Sequence, residues 1–394
     1  MNPASLREQI PALRDSIYLN TGTFGPSPTP VLEEIRRAFD LIEEHGPYSP
    51  HVRQTVEKEG YEATRSEAAN LMGATADEIV LTRCASDGVN IVAYGLDWQP
   101  DDEILISNEE HQSGILPWLM LSQRNGVKVR VATVHPDPAV TLQNYSEQLS
   151  PRTRLVFASH VSGISGIRLP VCEISEMAHA EGALAVVDGA HALGQFPVNV
   201  HELGCDVYTG CGHKWLLGPQ GTGMAYIARE QLEAFKPSWT GWGAEVEFSL
   251  DLDSQTFKLH DSARRFEFGT KPWPLFLGLG AAIRFINAIG VCNIQMHVAQ
   301  LATELKQAVD RTPWMHRMTP ADPALSTGIV SMGLGDSAPE NVKELLWEQN
   351  RLLSAYWHPL RRLRLAVAFF NTLEEIERAF EAVCRLTAPE SEGQ

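Results

Sequence analysis

The sequence predicts an α/β protein with a three-layer, mainly parallel sheet of seven strands and a smaller α+β domain towards the C-terminus. Between about residues 78 and 228, short apolar runs rich in β-branched residues alternate with helical patterns. These runs lack strict polar/apolar alternation, which is typical of strands buried on both faces. Strand–helix alternation of this kind favours a parallel sheet covered by helices.

The elements follow in an order that suits such a sheet. Residues 30–60 are predicted to be helical and to pack between the two domains. The predicted strands cover residues 78–82, 103–107, 128–134, 154–160, 183–188, 206–209 and 223–228. Helical stretches lie between several of these strands, including residues 87–94 and 171–181.

The pattern changes after about residue 275. One long helical pattern covers about residues 279–309, and the elements after it are strands at 328–332 and 363–369 and helices at 340–350 and 372–386. The last helix begins with a capping-box pattern, Thr372 with Glu375. We therefore predict a large domain of residues 16–270 and a small α+β domain of residues 1–15 and 271–394, with a frayed tail at 388–394.

Charge and cysteine content restrict the classes of partner. Lys and Arg number 32 against 49 Asp and Glu, a net charge of −17, which argues against nucleic acid and membrane surfaces. Six cysteines without a CxxC pair predict neither a disulfide framework nor a metal site. Residues 1–16 have no apolar core and the apolar run 274–283 is too short to span a bilayer, so we expect a cytoplasmic protein.

Two polar residues follow neighbouring predicted strands. Asp188 ends the strand in residues 183–191 (ALAVVDGAH), and Lys214 follows the next strand in residues 208–215 (YTGCGHKW). Singly, such an aspartate is commonly a helix cap and such a lysine a surface residue. Together they lie at the carboxyl edge of a parallel sheet, where ligands bind in these folds.

These motifs, taken in order, resemble the class V aminotransferase family of fold-type I enzymes, which use pyridoxal 5'-phosphate (PLP). The family includes cysteine desulfurases, cysteine/cystine C–S lyases and isopenicillin-N-epimerase-like proteins. The resemblance covers nearly the whole chain, from residues 18–25 (YLNTGTFG) to residues 364–375. It implies that the large domain binds PLP and that the substrate is a small amino acid.

The resemblance implies catalytic roles for three residues. Lys214 is similar to the lysine that condenses with the PLP aldehyde and later moves the substrate's Cα proton. Asp188 is similar to the carboxylate that keeps the pyridine nitrogen protonated, so that the ring can absorb the Cα electron pair. His111, in residues 110–118 (EHQSGILPW), is similar to the histidine that stacks on the ring and assists proton transfer.

A fourth matching residue is implied to bind the substrate. Arg364 is similar to the arginine that clamps the α-carboxylate, where a bidentate guanidinium fixes the orientation of the Cα bonds. Arg361 and Arg362 are the neighbouring alternatives. The alternating pattern that follows favours Arg364.

The remaining matches concern the ring oxygen and the phosphate of PLP. His191 stands where the family has a Gln or His that contacts the ring oxygen. Ser86 suits a helix N-cap, at a turn that gives the phosphate backbone N–H groups and a hydroxyl. The family has Ser or Thr in place of Cys211, so Thr209 is a candidate substitute. The full set of implied cofactor-binding residues is Ala85, Ser86, His111, Asp188, His191, Cys211, His213, Lys214 and Thr270.

The resemblance at Thr270 also implies a homodimer. It lies in residues 265–270 (RFEFGT), which resemble a segment whose threonine reaches the phosphate bound in the partner subunit. If this carries over, the active sites lie at the interface between two copies. The alternative is an ordinary loop residue.

Two departures from the desulfurase pattern decide the function that we predict. Gly163 stands where desulfurases have an asparagine, and residues 350–360 lack the nucleophilic cysteine that desulfurases carry before the arginine. Without that thiol, the implied apparatus can still remove the Cα proton and expel a β-substituent. We predict a β-eliminating C–S lyase that acts on cysteine, cystine or a cysteine conjugate and gives pyruvate, ammonia and a sulfur product.

Three alternatives stay open. The first is a class V epimerase/racemase or aminotransferase, which uses the same first proton transfer. The second, which is less favoured, is a cysteine desulfurase with the same cofactor. A nucleotide-binding or regulatory module is the alternative outside enzyme chemistry. Against it, neither GxGxxG nor GxxxxGK[ST] follows any predicted strand.

Overall fold

The computed structural model describes residues 3–389, whose strands form two sheets and one additional two-stranded pair. The strands, in chain order, are β1 (Ile17–Tyr18), β2 (Ile79–Thr82), β3 (Glu103–Ser107), β4 (Lys128–Ala132), β5 (Thr153–Ser159), β6 (Leu184–Asp188), β7 (Val207–Cys211), β8 (Gly223–Ile227), β9 (Met315–Arg317), β10 (Ile329–Leu334), β11 (Leu352–Leu353), β12 (Ala355–Trp357) and β13 (Arg362–Ala366).

The larger sheet has seven strands in the order β2-β8-β7-β6-β5-β3-β4. The pairs from β4 across to β7 are parallel, and β8 is antiparallel to both of its neighbours. The predicted mainly parallel, seven-stranded sheet is confirmed. Every residue of β2, β3, β7 and β8 is buried, which explains why the sequence of these strands does not alternate.

Helices cover the sheet and connect its strands. The helices, in chain order, are α1 (Pro3–Glu8), α2 (Thr29–His45), α3 (Pro50–Val52), α4 (Tyr61–Met72), α5 (Ala85–Gly95), α6 (Leu116–Asn125), α7 (Pro138–Gln148), α8 (Val171–Ala180), α9 (Val200–Leu203), α10 (Trp273–Ile289), α11 (Val291–Asp310), α12 (Val342–Asn350) and α13 (Leu373–Thr387).

Alternate residues of the central strands enter separate apolar clusters. In β5, Leu155 and Phe157 lie in one cluster with Trp118 of α6. Val156 of the same strand lies in another cluster, with Ile174 of α8. Because successive strand residues point to opposite faces, the sheet is the middle of three layers, as predicted.

The smaller sheet has four antiparallel strands in the order β12-β13-β10-β9, and β1 pairs in parallel with β11 beside it. Its apolar side packs on α11 and α13, for example through Leu363, Leu305 and Ile376. The predicted strands at 328–332 and 363–369 correspond to β10 and β13. The strands that were not predicted, β1, β9, β11 and β12, have only two or three residues.

Two helical predictions need correction, each at a glycine. The pattern at 279–309 is two helices, α10 and α11, which meet at Gly290 with a 73° bend. The pattern at 30–60 is interrupted at Gly46 and continues as α3 and a π-helical segment, Arg53–Gly60. Both glycines have a positive φ of 86°, which does not continue a helix and which glycine adopts without a Cβ penalty.

Helix α10 packs against α2 and α4, and its Phe276 and Ile283 share an apolar cluster with residues of the large sheet. Leu13, from the N-terminal segment, lies in that cluster as well.

The division into domains at residues 16 and 270 stays a prediction, and residues 390–394 of the predicted frayed tail lie outside the described residues. Among the described helices none is alone long and apolar enough to cross a membrane, although the bent pair α10–α11 meets that length and composition.

Candidate active site

The carboxyl edge of the large sheet brings together the two residues that predicted a site. Strand β6 ends at Asp188 and the neighbouring β7 ends at Cys211, three residues before Lys214. Asp188 is buried, and its Oδ1 accepts a hydrogen bond of 2.8 Å from the Ala190 N–H, which fixes the carboxylate. A buried carboxylate and an amine therefore lie at the ends of adjacent strands.

The N-terminal segment 18–25 holds the Lys214 loop in place. The Gly25 N–H donates to the His213 carbonyl at 2.7 Å, and the Phe24 ring lies 5.2 Å from the His213 ring. A Cβ at Gly25 would lie 2.1 Å from the Lys214 carbonyl oxygen, so this close approach requires glycine. These contacts explain why glycine follows Phe24 in the segment 18–25.

His191 lies between Lys214 and Trp215. Its Nε2 is 3.3 Å from Lys214 Nζ, and its Nδ1 is 3.3 Å from the indole nitrogen of Trp215. An indole N–H only donates, so Nδ1 accepts and the proton of the neutral imidazole is on Nε2. Burial and the charge of Lys214 lower the pKa of His191 well below its ordinary value, so the ring stays neutral. A charged ammonium accepts no hydrogen bond, so the Nε2–H does not donate to Lys214 Nζ and is left for a ligand.

Trp215 was not predicted, although its place directly after Lys214 inside a motif already selected is a signal for it. Replacing Trp215 by phenylalanine is expected to remove the bias of about 1 kcal/mol that one hydrogen bond gives to a tautomer. The Nδ1–H tautomer of His191 should then be populated. Long-range ¹⁵N–¹H correlation spectra of histidine-labelled protein measure this change, and the His191→Gln spectrum identifies the signal.

The matched control for that variant is Trp98→Phe. Trp98 is also buried and donates its indole N–H to the Ala93 carbonyl, so this variant loses the same kind of bond away from His191. Unchanged ¹⁵N shifts of His191 in Trp215→Phe would contradict the tautomer assignment.

Gly163, the departure from the desulfurase pattern, lies against the same histidine. A Cβ at Gly163 would lie 2.9 Å from His191 Nε2. The volume that an asparagine side chain needs is therefore occupied by the imidazole. His191 is therefore the side chain at that point, and its contact with the ring oxygen of PLP stays a prediction.

Arg364 is buried at the rim of the same site. Its Nη1 donates to the Gly163 carbonyl at 2.8 Å, and its Nη2 donates to the Thr23 hydroxyl at 2.9 Å. Its Nε is buried without a partner, and burial together with the charge of Arg362 lowers the pKa of Arg364 to about 10. Within residues 3–389 the guanidinium has no carboxylate partner. Such a group is suited to bind the carboxylate of a ligand.

The neighbouring Arg361 is arranged differently. It lies at the protein surface, where it pairs with Asp336 at 3.1 Å and donates to the Gly335 carbonyl. The geometry therefore favours Arg364 over Arg361 as the carboxylate anchor. Thr23, which orients Arg364, was not predicted individually, but it lies within the selected segment 18–25.

His111 follows β3 and faces the charges of the site. Its Nδ1 accepts a hydrogen bond of 3.2 Å from the Ser113 N–H. Desolvation and the charge of Lys214 lower the pKa of His111, whereas Asp188 opposes this shift. Glu110 anchors the turn, because its buried carboxylate accepts hydrogen bonds from the Ser107 and Ser159 hydroxyls.

The predicted phosphate site lies at the N-terminus of α5, and two details of that prediction need correction. Ser86 is the second residue of the helix and not its N-cap, which is Cys84 and provides no side-chain hydrogen bond. Thr209 is wrong as a substitute donor, because its hydroxyl is fully buried and donates to the Ala85 carbonyl at 2.9 Å. Cys211 packs against Ala85, and burial raises the pKa of its thiol, which keeps the thiol protonated.

The unsatisfied donors of His213 and of the α5 N-terminus are of the kind that binds the phosphate of PLP. His213 has a buried Nδ1 with no hydrogen-bond partner in the described structure, and burial lowers its pKa to about 4. A neutral imidazole can donate from that nitrogen, and an uncapped helix N-terminus adds backbone N–H groups and a positive dipole end. The residues present therefore fit the cofactor.

Among the described residues no three His, Cys, Asp or Glu form a group that could hold a metal.

Thr270 is the one predicted site residue that this chain does not bring to the others. It lies in an exposed loop after Glu267, and its predicted role depends on a second copy. Glu267 is buried and forms an ion pair with Arg65. Its carboxylate also accepts hydrogen bonds from the Tyr61 hydroxyl and the Leu81 N–H. These contacts fix where the loop that carries Thr270 begins.

Comparisons with known proteins identify the family. The family model for aminotransferase class-V matches residues 17–378. A probable cysteine desulfurase of Methanothermobacter thermautotrophicus is 32% identical over 96% of each chain. A cysteine desulfurase of Klebsiella pneumoniae is 32% identical over 82% of each chain.

Solved structures agree with this match. The cysteine desulfurase of Thermococcus onnurineus NA1 superposes with a TM-score of 0.89 at 28% identity, covering 98% of each chain. The cystine C–S lyase C-DES, in complex with its product cysteine persulfide, gives 0.87 at 27% identity, covering 96% of this chain and 99% of C-DES. A variant of C-DES holds glycine covalently linked to its PLP cofactor. The expected fold-type I architecture and PLP cofactor are confirmed, and the chain belongs to the aminotransferase class-V family of PLP-dependent enzymes.

Proposed function

We propose that this enzyme cleaves the Cβ–S bond of a sulfur amino acid by β-elimination. Bound PLP supplies an electron sink for the Cα carbanion, and Asp188 keeps its pyridine nitrogen protonated. Arg364 binds the α-carboxylate, and Lys214 accepts the Cα proton. The Cβ–S electron pair leaves with sulfur as a thiolate or persulfide. The 2-aminoacrylate that remains takes up water and gives pyruvate and ammonia.

The observation that carries this proposal is the position before Arg364. Residues 350–360 contain no cysteine, and the described structure holds them in β11 and β12, which pair with β1 and β13. Ala355 lies directly opposite Arg364 in this pairing. A desulfurase needs a thiolate on a mobile segment at this point to accept the sulfur. This chain has two short paired strands without a thiol there.

The cysteines near the site do not replace that nucleophile. Cys211 is buried and its pKa is raised, whereas the reactive form of cysteine is the exposed thiolate. Cys84 is the N-cap of α5, at the phosphate end of the site. Of the other four cysteines, Cys172, Cys292 and Cys384 are in helices α8, α11 and α13. Cys205 is buried in the short segment between α9 and β7.

A cysteine desulfurase is the second candidate, because relatives about 30% identical carry that name. Those names support cleavage of a C–S bond, which both candidate reactions have in common. The two differ in products, because a desulfurase leaves alanine and a protein-bound persulfide. An epimerase or aminotransferase would leave the C–S bond intact.

Product analysis separates these outcomes. Incubated with cystine and with cysteine, the holoenzyme is expected to release pyruvate, ammonia and a soluble sulfur species in equal amounts. A variant with all six cysteines replaced by Ser or Ala should keep C–S cleavage within about tenfold of wild type, provided its melting temperature shows that it folds. Alanine as product, with a persulfide on a cysteine that forms and discharges at the turnover rate, would establish the desulfurase instead.

We also propose that two copies assemble with Thr270 at the shared interface. Large apolar side chains are exposed on the segment that leads to it, with Trp239 71% and Phe248 95% exposed. The Gly269 N–H donates to the Trp242 carbonyl, which joins this segment to the Thr270 loop. A second copy would cover these side chains, and sedimentation velocity of the holoenzyme measures the state of assembly.

A further inference from the structure

A second buried arginine lies beside Arg364. Arg362 and Arg364 are two residues apart on β13, so both side chains project from the same face of the small sheet. The opposite face carries Leu363, which belongs to the apolar cluster of that sheet. Because Arg364 reaches Thr23 and the Gly163 carbonyl, the face that carries Arg362 is the face towards the active site.

The indole of Trp357 joins the two guanidinium groups. Trp357 lies directly opposite Arg362 on β12, and its ring is 4.5 Å from the Arg362 guanidinium carbon. The same ring is 5.2 Å from the guanidinium carbon of Arg364. One aromatic surface therefore supports two cations that lie side by side.

Arg362 has no anionic partner among the described residues. It is 8% exposed, its Nε is buried without a hydrogen-bond partner, and no ion pair involves it. The acidic residue whose charge acts on it is Glu109, which already accepts hydrogen bonds from the Ser162 and Ser165 hydroxyls. An unpaired buried guanidinium is costly, so an anion that reaches it gains a strong interaction.

We propose that Arg362 is a second anion anchor, and that the preferred substrate is a sulfur amino acid whose leaving group carries its own carboxylate. Cystine and mixed disulfides of cysteine with a carboxylate-bearing thiol are of this class. This inference rests on the proposed β-elimination. Arg364 holds the α-carboxylate and Arg362 the distal carboxylate, which leaves unchanged with the persulfide when the Cβ–S bond breaks.

Two disulfides that differ in one charge test the inference. S-(carboxymethylthio)-L-cysteine and S-methylthio-L-cysteine share the bond to be cleaved, but only the first has a distal carboxylate. In Arg362→Gln, the ratio of their kcat/KM values should fall by about tenfold or more, mainly through KM, since a charge-assisted hydrogen bond is lost. Arg361→Gln is the matched control, because Arg361 is partly exposed and already pairs with Asp336, and it should leave the ratio unchanged. Arg364→Lys should raise KM for both disulfides.

A binding measurement separates failure of this inference from failure of the proposed reaction. L-2-aminoadipate and L-norleucine have chains of equal length, without a leaving group, and only the first has a distal carboxylate. Calorimetry on the wild-type holoenzyme should show tighter binding of aminoadipate, and Arg362→Gln should abolish that preference. If neither disulfide yields pyruvate, the β-elimination is wrong while this binding comparison still decides the role of Arg362. Equal preferences in wild type and Arg362→Gln would overturn the anchor.

Discussion

Replacing Lys214 by alanine is expected to reduce turnover by at least about 1,000-fold while the fold persists. Its amine lies 3.3 Å from His191 Nε2 and follows the strand next to the one that ends at Asp188. The reaction needs an amine that can both bind the cofactor and move the Cα proton, and alanine provides neither function. The loop itself is held by backbone contacts to Gly25, which the substitution leaves in place.

The lysine that competes with it chemically is Lys306. Burial lowers the pKa of Lys306 to about 8, but its ammonium donates to the Pro320 and Ala321 carbonyls and to the Ser326 hydroxyl. Those three bonds use all of its donors, which is typical of a structural lysine. Borohydride reduction of wild-type holoenzyme followed by peptide mapping should place the cofactor on Lys214. Activity above a tenth of wild type in Lys214→Ala, or mapping to Lys306, would show that the wrong lysine was chosen.

The parts of the fold that could be predicted are those fixed by local pattern. The strands of the large sheet are buried on both faces, so their apolar runs mark them directly, and all seven predicted runs correspond to strands. The placement of Asp188 beside Lys214 followed from the rule that parallel strands share a carboxyl edge. The capping box of α13, Thr372 with Glu375, is likewise a local signal, and the structure contains it.

The parts that could not be predicted depend on contacts between distant segments. Thr23 orients Arg364 across 341 residues of sequence, and no periodicity reports such a contact. Strands of two or three residues, such as β11, are too short to show a pattern and exist because a neighbouring strand pairs with them. The N-cap of α5 was misplaced by two residues because Ser86 has the better cap propensity, whereas the turn begins at Cys84.

Replacing Asp188 by asparagine is expected to reduce turnover by roughly 100-fold or more while the protein still binds PLP. The carboxylate Oδ1 accepts a hydrogen bond from the Ala190 N–H, and an amide oxygen can accept the same bond, so the local backbone should be preserved. A neutral amide cannot hold a pyridine nitrogen protonated, so the Cα electron pair loses its stabilisation. Turnover, and cofactor content by absorbance, are the two measurements.

Asp206→Asn is the matched control for this variant. Asp206 is also a buried aspartate that accepts a backbone hydrogen bond, from the Ala185 N–H at 2.7 Å. It precedes β7 and therefore lies at the opposite edge of the same sheet from Asp188. Because charge is removed from the same strand pair in both variants, a loss confined to Asp188→Asn must come from the active-site edge. Near-normal turnover in Asp188→Asn would mean that the reaction does not pass through a carbanion stabilised at that edge.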